Sequence, residues 1–401
     1  MKRLHYGWAI VALGVLVKMS GLGFGRFAYA MLLPAMRESL GFNYIRMGLL
    51  SGGIMLGYLI FSYVGGTFTR RYGPKKVLIV SLISSVLSMA ILGQSASFSL
   101  LLLLTFIMGA GAAGAHISTT TLPMSWFPKE TMGRALGTLT GGTGLGIVIT
   151  GLMIPPLLIS FGDDGWRVSW MIMSAITLLV LILSGIFIRE RPDDRFPLPK
   201  GPPEHIAIAT APAGQRGRGM SLRILFLVYF VFGFAYNIYA TYFVAFLVED
   251  LHLPKGTAGV IWAIFGWMCM LSGLIWGFLA DRFGSRSAII WNNGIISLSV
   301  LLPLFFHAPS MLGLSTFLFG GAFLGMVTIV ATVIGDQAEE KRAWLFGLIT
   351  LVHGIGQLLG TTIGGYLKDY TGSFQLTFTA SLLGFLLCLG MIFFSKKTNS
   401  R

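Results

Sequence analysis

The sequence predicts an all-α membrane protein with twelve transmembrane helices in two pseudo-symmetric six-helix bundles. Three observations carry this. Hydrophobic residues make up 55% of the 401 and charged residues only 11%, where a soluble domain carries about 25% charge. Charge-free stretches long enough to cross a bilayer recur along the chain. The second half repeats features of the first at a fixed offset. A fold with so little polar surface could not cover itself in water, so soluble enzyme, secreted scaffold and disordered chain are excluded.

The spans follow in order, each needing about 20 apolar residues. Gly7 to Leu33 is apolar except for Lys18 and Arg26, and it is too long for a signal peptide. Residues 47–69 give the second span. Residues 77–128 hold no Asp, Glu, Lys or Arg and make two helices that turn near Gln94–Ser99. Residues 135–162 and 168–188 complete the first six. Residues 224–248 and 256–280 give one span each, 287–335 give two with a turn at His307-Ala308-Pro309, and 343–367 and 370–395 give the last two. The organisation expected is an N-terminal bundle over 1–188, a Pro-, Gly- and charge-rich linker over 189–221, and a C-terminal bundle over 222–401.

The net charge is +14, and its placement explains it. With the N-terminus cytoplasmic, the inner loops collect 22 Lys and Arg and the outer loops only Arg37, Arg46, Arg167, Lys255 and Lys368. That bias puts both termini in the cytoplasm. It identifies the bilayer of the cytoplasmic membrane, and no nucleic acid, as the partner of the basic chain. Cys269 and Cys388 lie in apolar runs and give neither a disulfide framework nor a metal-ligand spacing. No metal, no cofactor and a monomer are expected.

The two halves echo each other. The loop after span 2 reads Gly66-Thr-Phe-Thr-Arg70-Arg71-Tyr-Gly73, and the loop after span 8 reads Gly277-Phe-Leu-Ala-Asp281-Arg282-Phe-Gly284. In the same register, 211 residues apart, Glu38 meets Glu249, Leu40 meets Leu251 and Gly48 meets Gly259. Gly137, Gly144 and Gly146 recur 210 residues later as Gly347, Gly354 and Gly356. Six-span halves repeated in parallel imply an axis along the membrane normal.

The loop pattern G-x-x-x-D-R-x-G after spans 2 and 8 of twelve resembles the signature of the major facilitator superfamily, and the topological likeness covers the whole chain. Trp126-Phe-Pro, Gly165-Trp-Arg and Gly356-Gln357 with Asp369-Tyr-Thr-Gly are similar to it as well. Tyr6-Gly7-Trp8 resembles its monocarboxylate and oxalate–formate branches, and Gly23-Phe-Gly-Arg26-Phe-Ala-Tyr29 resembles a bacterial branch. The resemblance implies alternating access: two rigid bundles rocking about a central site, flanked by spans 1 and 7. It also implies a cytoplasmic latch in which Asp281 docks at the start of span 5, near Gly133 and Arg134. Glycine in the motif lets helices approach. Arg70 stands where the family has Asp; it would repel the start of span 11 or pair with Glu339 or Glu340.

Inside the spans the charge is one-sided. All 15 carboxylates fall in loops, whereas Lys18, Arg26, His116 and His353 fall in spans. A cation at the bilayer centre costs at least roughly 2.5–3.5 kcal/mol. With no acidic neighbour, the natural counter-ion is a bound anion. Arg26 is the main candidate, because its planar fork suits a carboxylate; snorkelling to the outer interface is the alternative. Its repeat-mate is Asn237, flanked by Tyr236 and Tyr239. Lys18, eight residues earlier, is placed about 12 Å deeper and roughly 80° around an α-helix. His116 and His353, the latter one turn before Gln357, are candidate proton carriers. Trp267 is a candidate cavity wall.

The function expected is secondary transport of a small organic anion, proton-coupled or by exchange. The alternative is a multidrug-type exporter of neutral or lipophilic compounds. An integral-membrane enzyme finds no nucleophile–base or metal-ligand cluster in the spans.

Overall fold

The computed structural model describes residues 6–192, 221–335 and 339–394; the side chains of residues 129–130 and 339–343 are not described. Most of the 189–221 linker, together with the pairing of Arg70 with Glu339 or Glu340, therefore falls outside the described residues. Twelve helices are long and apolar enough to cross a membrane. We number them α1 Tyr6–Leu40, α2 Tyr44–Tyr72, α3 Pro74–Leu92, α4 Phe98–Thr121, α5 Lys129–Ser160, α6 Gly165–Phe187, α7 Leu222–Asp250, α8 Lys255–Phe283, α9 Ser285–Phe305, α10 Pro309–Gly335, α11 Glu339–Thr371 and α12 Gln375–Phe393.

Contacts between helices carry the repeat into space. α2 packs on α4 as α8 packs on α10, and α1 lies on α5 as α7 lies on α11. The halves meet along α5 with α8 and α2 with α11, with α1 and α7 touching between them. Glycine makes both seams tight. A Cβ on Gly151 would lie 2.6 Å from the Gly259 carbonyl oxygen, and one on Gly144 would lie 2.5 Å from that of Gly266. On the other seam, a Cβ on Gly48 would lie 2.6 Å from the Thr361 carbonyl oxygen.

Toward the loop motifs the glycines have more room. Further along α5, the nearest atom to a Cβ at Gly137 belongs to the Leu274 side chain, at 3.5 Å, and Gly133 has nothing within 4 Å. On α2 and α11, Gly66 and Gly347 likewise have nothing within 4 Å. The bundles touch backbone to backbone at the end of residues 44 and 365, where a Cβ on Gly365 would lie 2.3 Å from the Tyr44 carbonyl oxygen.

One feature of α1 departs from the expectation of a regular α-helix. Met19–Phe27 is a π-helix, and its sequence MSGLGFGRF carries three glycines. The second, Gly23, presses against the backbone of Gly146 in α5, where a Cβ would lie 2.5 Å from Cα. The α-helical spacing expected between Lys18 and Arg26 does not hold through i→i+5 turns, which fit more residues into each turn. π segments of this kind gather at functional sites.

Candidate substrate site

The π segment delivers Arg26 to the junction of the two bundles. Its Nη2 donates to the Tyr236 hydroxyl of α7 at 2.5 Å and to Gln357 Oε1 of α11 at 2.7 Å. The guanidinium lies over the rings of Tyr58, 5.1 Å away, and Phe27, 5.4 Å away. Arg26 Nε is buried and has no hydrogen-bond partner among the described residues. The cation is thus held by aromatic faces and two neutral acceptors, from both halves of the chain. It does not snorkel outward.

Asn237 and Gln357 form the other wall. Asn237 Nδ2 donates to the Gln357 backbone oxygen at 3.1 Å and fixes α7 against α11. Arg26, Ser51, Asn237 and Thr241 line a small cavity with about 10 Å³ of room for a water's centre, the least that holds one water. His353 sits one turn before Gln357. Its Nδ1 lies 2.9 Å from the Tyr229 carbonyl oxygen, and its ring is stacked 4.0 Å from Tyr229 and 5.6 Å from Tyr236. The geometry brings together Arg26, Tyr236, Asn237, His353 and Gln357.

Other expected residues lie elsewhere. Tyr239 turns into the C-terminal bundle, its hydroxyl 2.6 Å from Ser315 Oγ and its ring stacked 4.0 Å from Phe319. Trp267 is 60% exposed on the face of α8 shared by Val260 and Leu271, both exposed. Two residues earlier, about 200° around the helix, Phe265 points inward and packs on Phe27. Trp267 therefore lies on an exposed face of α8, outside the Arg26 cluster. His116 reaches the edge of the cluster, its ring 6.5 Å from that of Tyr58, with Nδ1 buried and unpartnered among the described residues. Lys18 is only 4% exposed.

Sequence reasoning missed Tyr58 and the closure of the tight end. There Arg37 of α1 grips Glu249 of α7, with Nε to Oε1 at 3.2 Å and Nη2 to Oε2 at 3.1 Å. Asp369, at the end of α11, accepts from the Tyr44 amide at 2.8 Å and the Ile45 amide at 2.7 Å. These are the first two residues of α2, so the carboxylate sits on the positive end of that helix. Lys368 pairs with Asp250 beside it. The signal was present in Asp369-Tyr-Thr-Gly and in the aligned Glu249, but it was read as loop charge.

At the motif end, the start of α5 that the expected latch would use includes residues 129–130, whose side chains lie outside the described residues. A Cβ at Gly66 would meet nothing within 4 Å, and the nearest atom to one at Gly277 is 3.7 Å away. Gly73 and Gly284 serve as turns instead, with φ of 87° and 84°. Glu190 lies against Gly73 and accepts from the Lys75 amide at 3.0 Å, at the start of α3. Arg70, Arg71, Asp281, Arg282 and Arg134 are all exposed.

Comparison with known proteins gives a family. A family model described as "Uncharacterised MFS-type transporter YbfB" matches residues 18–393. The chain is similar to a probable sulfoacetate transporter of Cupriavidus necator, 25% identical with 95% of this chain and 91% of that protein covered. It is also similar to a hexuronate transporter of Bacillus subtilis, 24% identical over 87% of this chain and 85% of that one. A multi-drug resistance efflux pump of Streptococcus pneumoniae is 27% identical over 76% of each chain. Among solved structures, an inward-facing bacterial homologue of the human lysosomal transporter Spinster superposes with a TM-score of 0.76 at 16% identity, covering 98% of this chain and 97% of that one.

Proposed function

Because the chain belongs to the major facilitator superfamily, in the family of the MFS-type transporter YbfB, we propose that it moves a small organic anion across the cytoplasmic membrane by alternating access, with Arg26 as the anchor. The observation that carries this is the half-buried guanidinium held between the bundles on neutral partners alone among the described residues. A carboxylate can replace both. Charge-assisted hydrogen bonds are roughly twice as strong as neutral ones, and the fork takes a carboxylate bidentately. An anion therefore trades the Tyr236 and Gln357 contacts for stronger ones and draws groups of both halves onto itself. Relatives named for sulfoacetate and hexuronate carry acids, which supports the reading.

The remaining roles follow from the same arrangement. Asn237 fixes the backbone of Gln357 and lines the cavity. His353 and His116 are the groups able to pass a proton beside the anion, if the cycle is proton-coupled rather than an exchange. With both termini cytoplasmic, the end closed by Arg37–Glu249 and by Asp369 on α2 faces outward. Asp281 serves the cytoplasmic latch at the start of α5 near Arg134 as the bundles rock. The efflux-pump relative supports a second reading, export of neutral or lipophilic compounds with Arg26 as a structural residue.

Uptake into proteoliposomes separates the two. Saturable uptake of glucuronate or sulfoacetate, competed by other carboxylates, supports anion transport. Efflux of a neutral dye such as a lipophilic amine's uncharged analogue, with no carboxylate uptake, refutes it.

A further inference from the structure

Arg26 is one of two cations inside the membrane, and the other has no use in the arrangement above. Lys18 is 4% exposed, and its ammonium makes no hydrogen bond or ion pair to another described residue. Its position is well defined by its neighbours. Gly14, four residues before it, faces Leu139 and Thr119; Gly21, three after it, faces Ala115 and Ala112. A Cβ at Gly142 would lie 3.1 Å from that of Lys18. Lys18 therefore sits where α1 meets α4 and α5, on the stretch of α4 that carries His116. His116 Nδ1 is buried and unpartnered among the described residues, and the Tyr58 ring lies 6.5 Å from the His116 ring and 5.1 Å from the Arg26 guanidinium.

A lone ammonium in hydrocarbon is retained where it meets water, a partner or a ligand. Keeping a second one near Arg26 without a carboxylate is a cost that a singly charged cargo does not remove. We propose that Lys18, with His116 beside it, forms a second anion subsite, so that the cargo is a small molecule with two acidic groups: one on Arg26, the other reaching Lys18. This rests on the reading of Arg26 as an anion anchor, and it makes Lys18 the residue that sets selectivity for dianions over monoanions.

The test is a thermal-shift titration of the purified full-length transporter. The probes are malonate, succinate and glutarate, each against its monoamide, which keeps the length and loses one charge. For the wild type, the best-fitting dianion binds about tenfold or more tightly than its monoamide, the size of one charge-assisted contact. Lys18→Met and Lys18→Gln bring the two within about twofold, whereas Lys18→Arg retains the preference. Two results overturn the proposal: no dianion preferred by the wild type, or a preference that survives both Lys18→Met and Lys18→Gln. Monoamide binding that is lost in Arg26→Gln, without any dianion preference, sinks this inference alone. Absence of any Arg26-dependent binding sinks the anion reading beneath it.

Discussion

Neutralising Asp369 should loosen the closed end of the transporter. Its two carboxylate oxygens take the first two amides of α2, at 2.8 and 2.7 Å, from across the bundle boundary. Hydrogen bonds to a charged group are worth about 1.5–3 kcal/mol, and the helix-end field adds about 0.3–1 kcal/mol. Asn would keep one acceptor and turn an NH2 toward the second amide. Asp369 is exposed, so water screens the interaction and the low end applies; Asp369→Asn should cost about 1–2 kcal/mol. At 1.4 kcal/mol per tenfold, the balance between closed and open ends shifts about 5- to 30-fold. Spin labels on Ser39Cys and Thr371Cys, both exposed positions on opposite bundles, report it. The native Cys269 and Cys388 are buried and should stay unlabelled. Asp369→Asn should add a longer-distance population to the distribution. Identical distributions for the two proteins would refute the assignment of this contact as a closure.

Three further substitutions probe the seams and the exposed face of α8. Gly266→Val puts a Cβ within 2.7 Å of both the Gly144 carbonyl oxygen and the Val148 amide; overpacking of this kind costs about 1–3 kcal/mol, so Tm should fall, while Gly347→Val, with nothing within 4 Å, should melt like the wild type. Trp267→Leu should leave carboxylate uptake within about twofold of the wild type, because the residue is 60% exposed and lies outside the Arg26 cluster; a severe loss would place it in the transport path.

The twelve spans were legible because composition alone marks them: a charge-free run of the right length has few other structural solutions. Arg26 was legible for the converse reason, as a cation within such a run. The faces of the helices were not. In a membrane both the lipid side and the protein side are apolar, so no polar stripe marks which way an aromatic ring points. Trp267 and Tyr239 lie outside the Arg26 cluster, which no such stripe could have told. The π segment left no trace beyond Gly21, Gly23 and Gly25, since glycines in a span equally signal close packing. The closure at the tight end joins Arg37 to Glu249 and Asp369 to Tyr44, pairings hundreds of residues apart. A tally of loop charges counts such residues without saying which of them meet.

The most direct test of the account is the affinity of Arg26→Lys for the carboxylate that the wild-type protein binds best, measured by calorimetry on purified protein. An ammonium keeps the charge but loses the planar fork that takes a carboxylate bidentately. The expected result is binding weaker by about tenfold or more, the loss of one charge-assisted hydrogen bond, in a protein that still melts cooperatively. Wild-type affinity in that variant would contradict the account and remove Arg26 from the binding site.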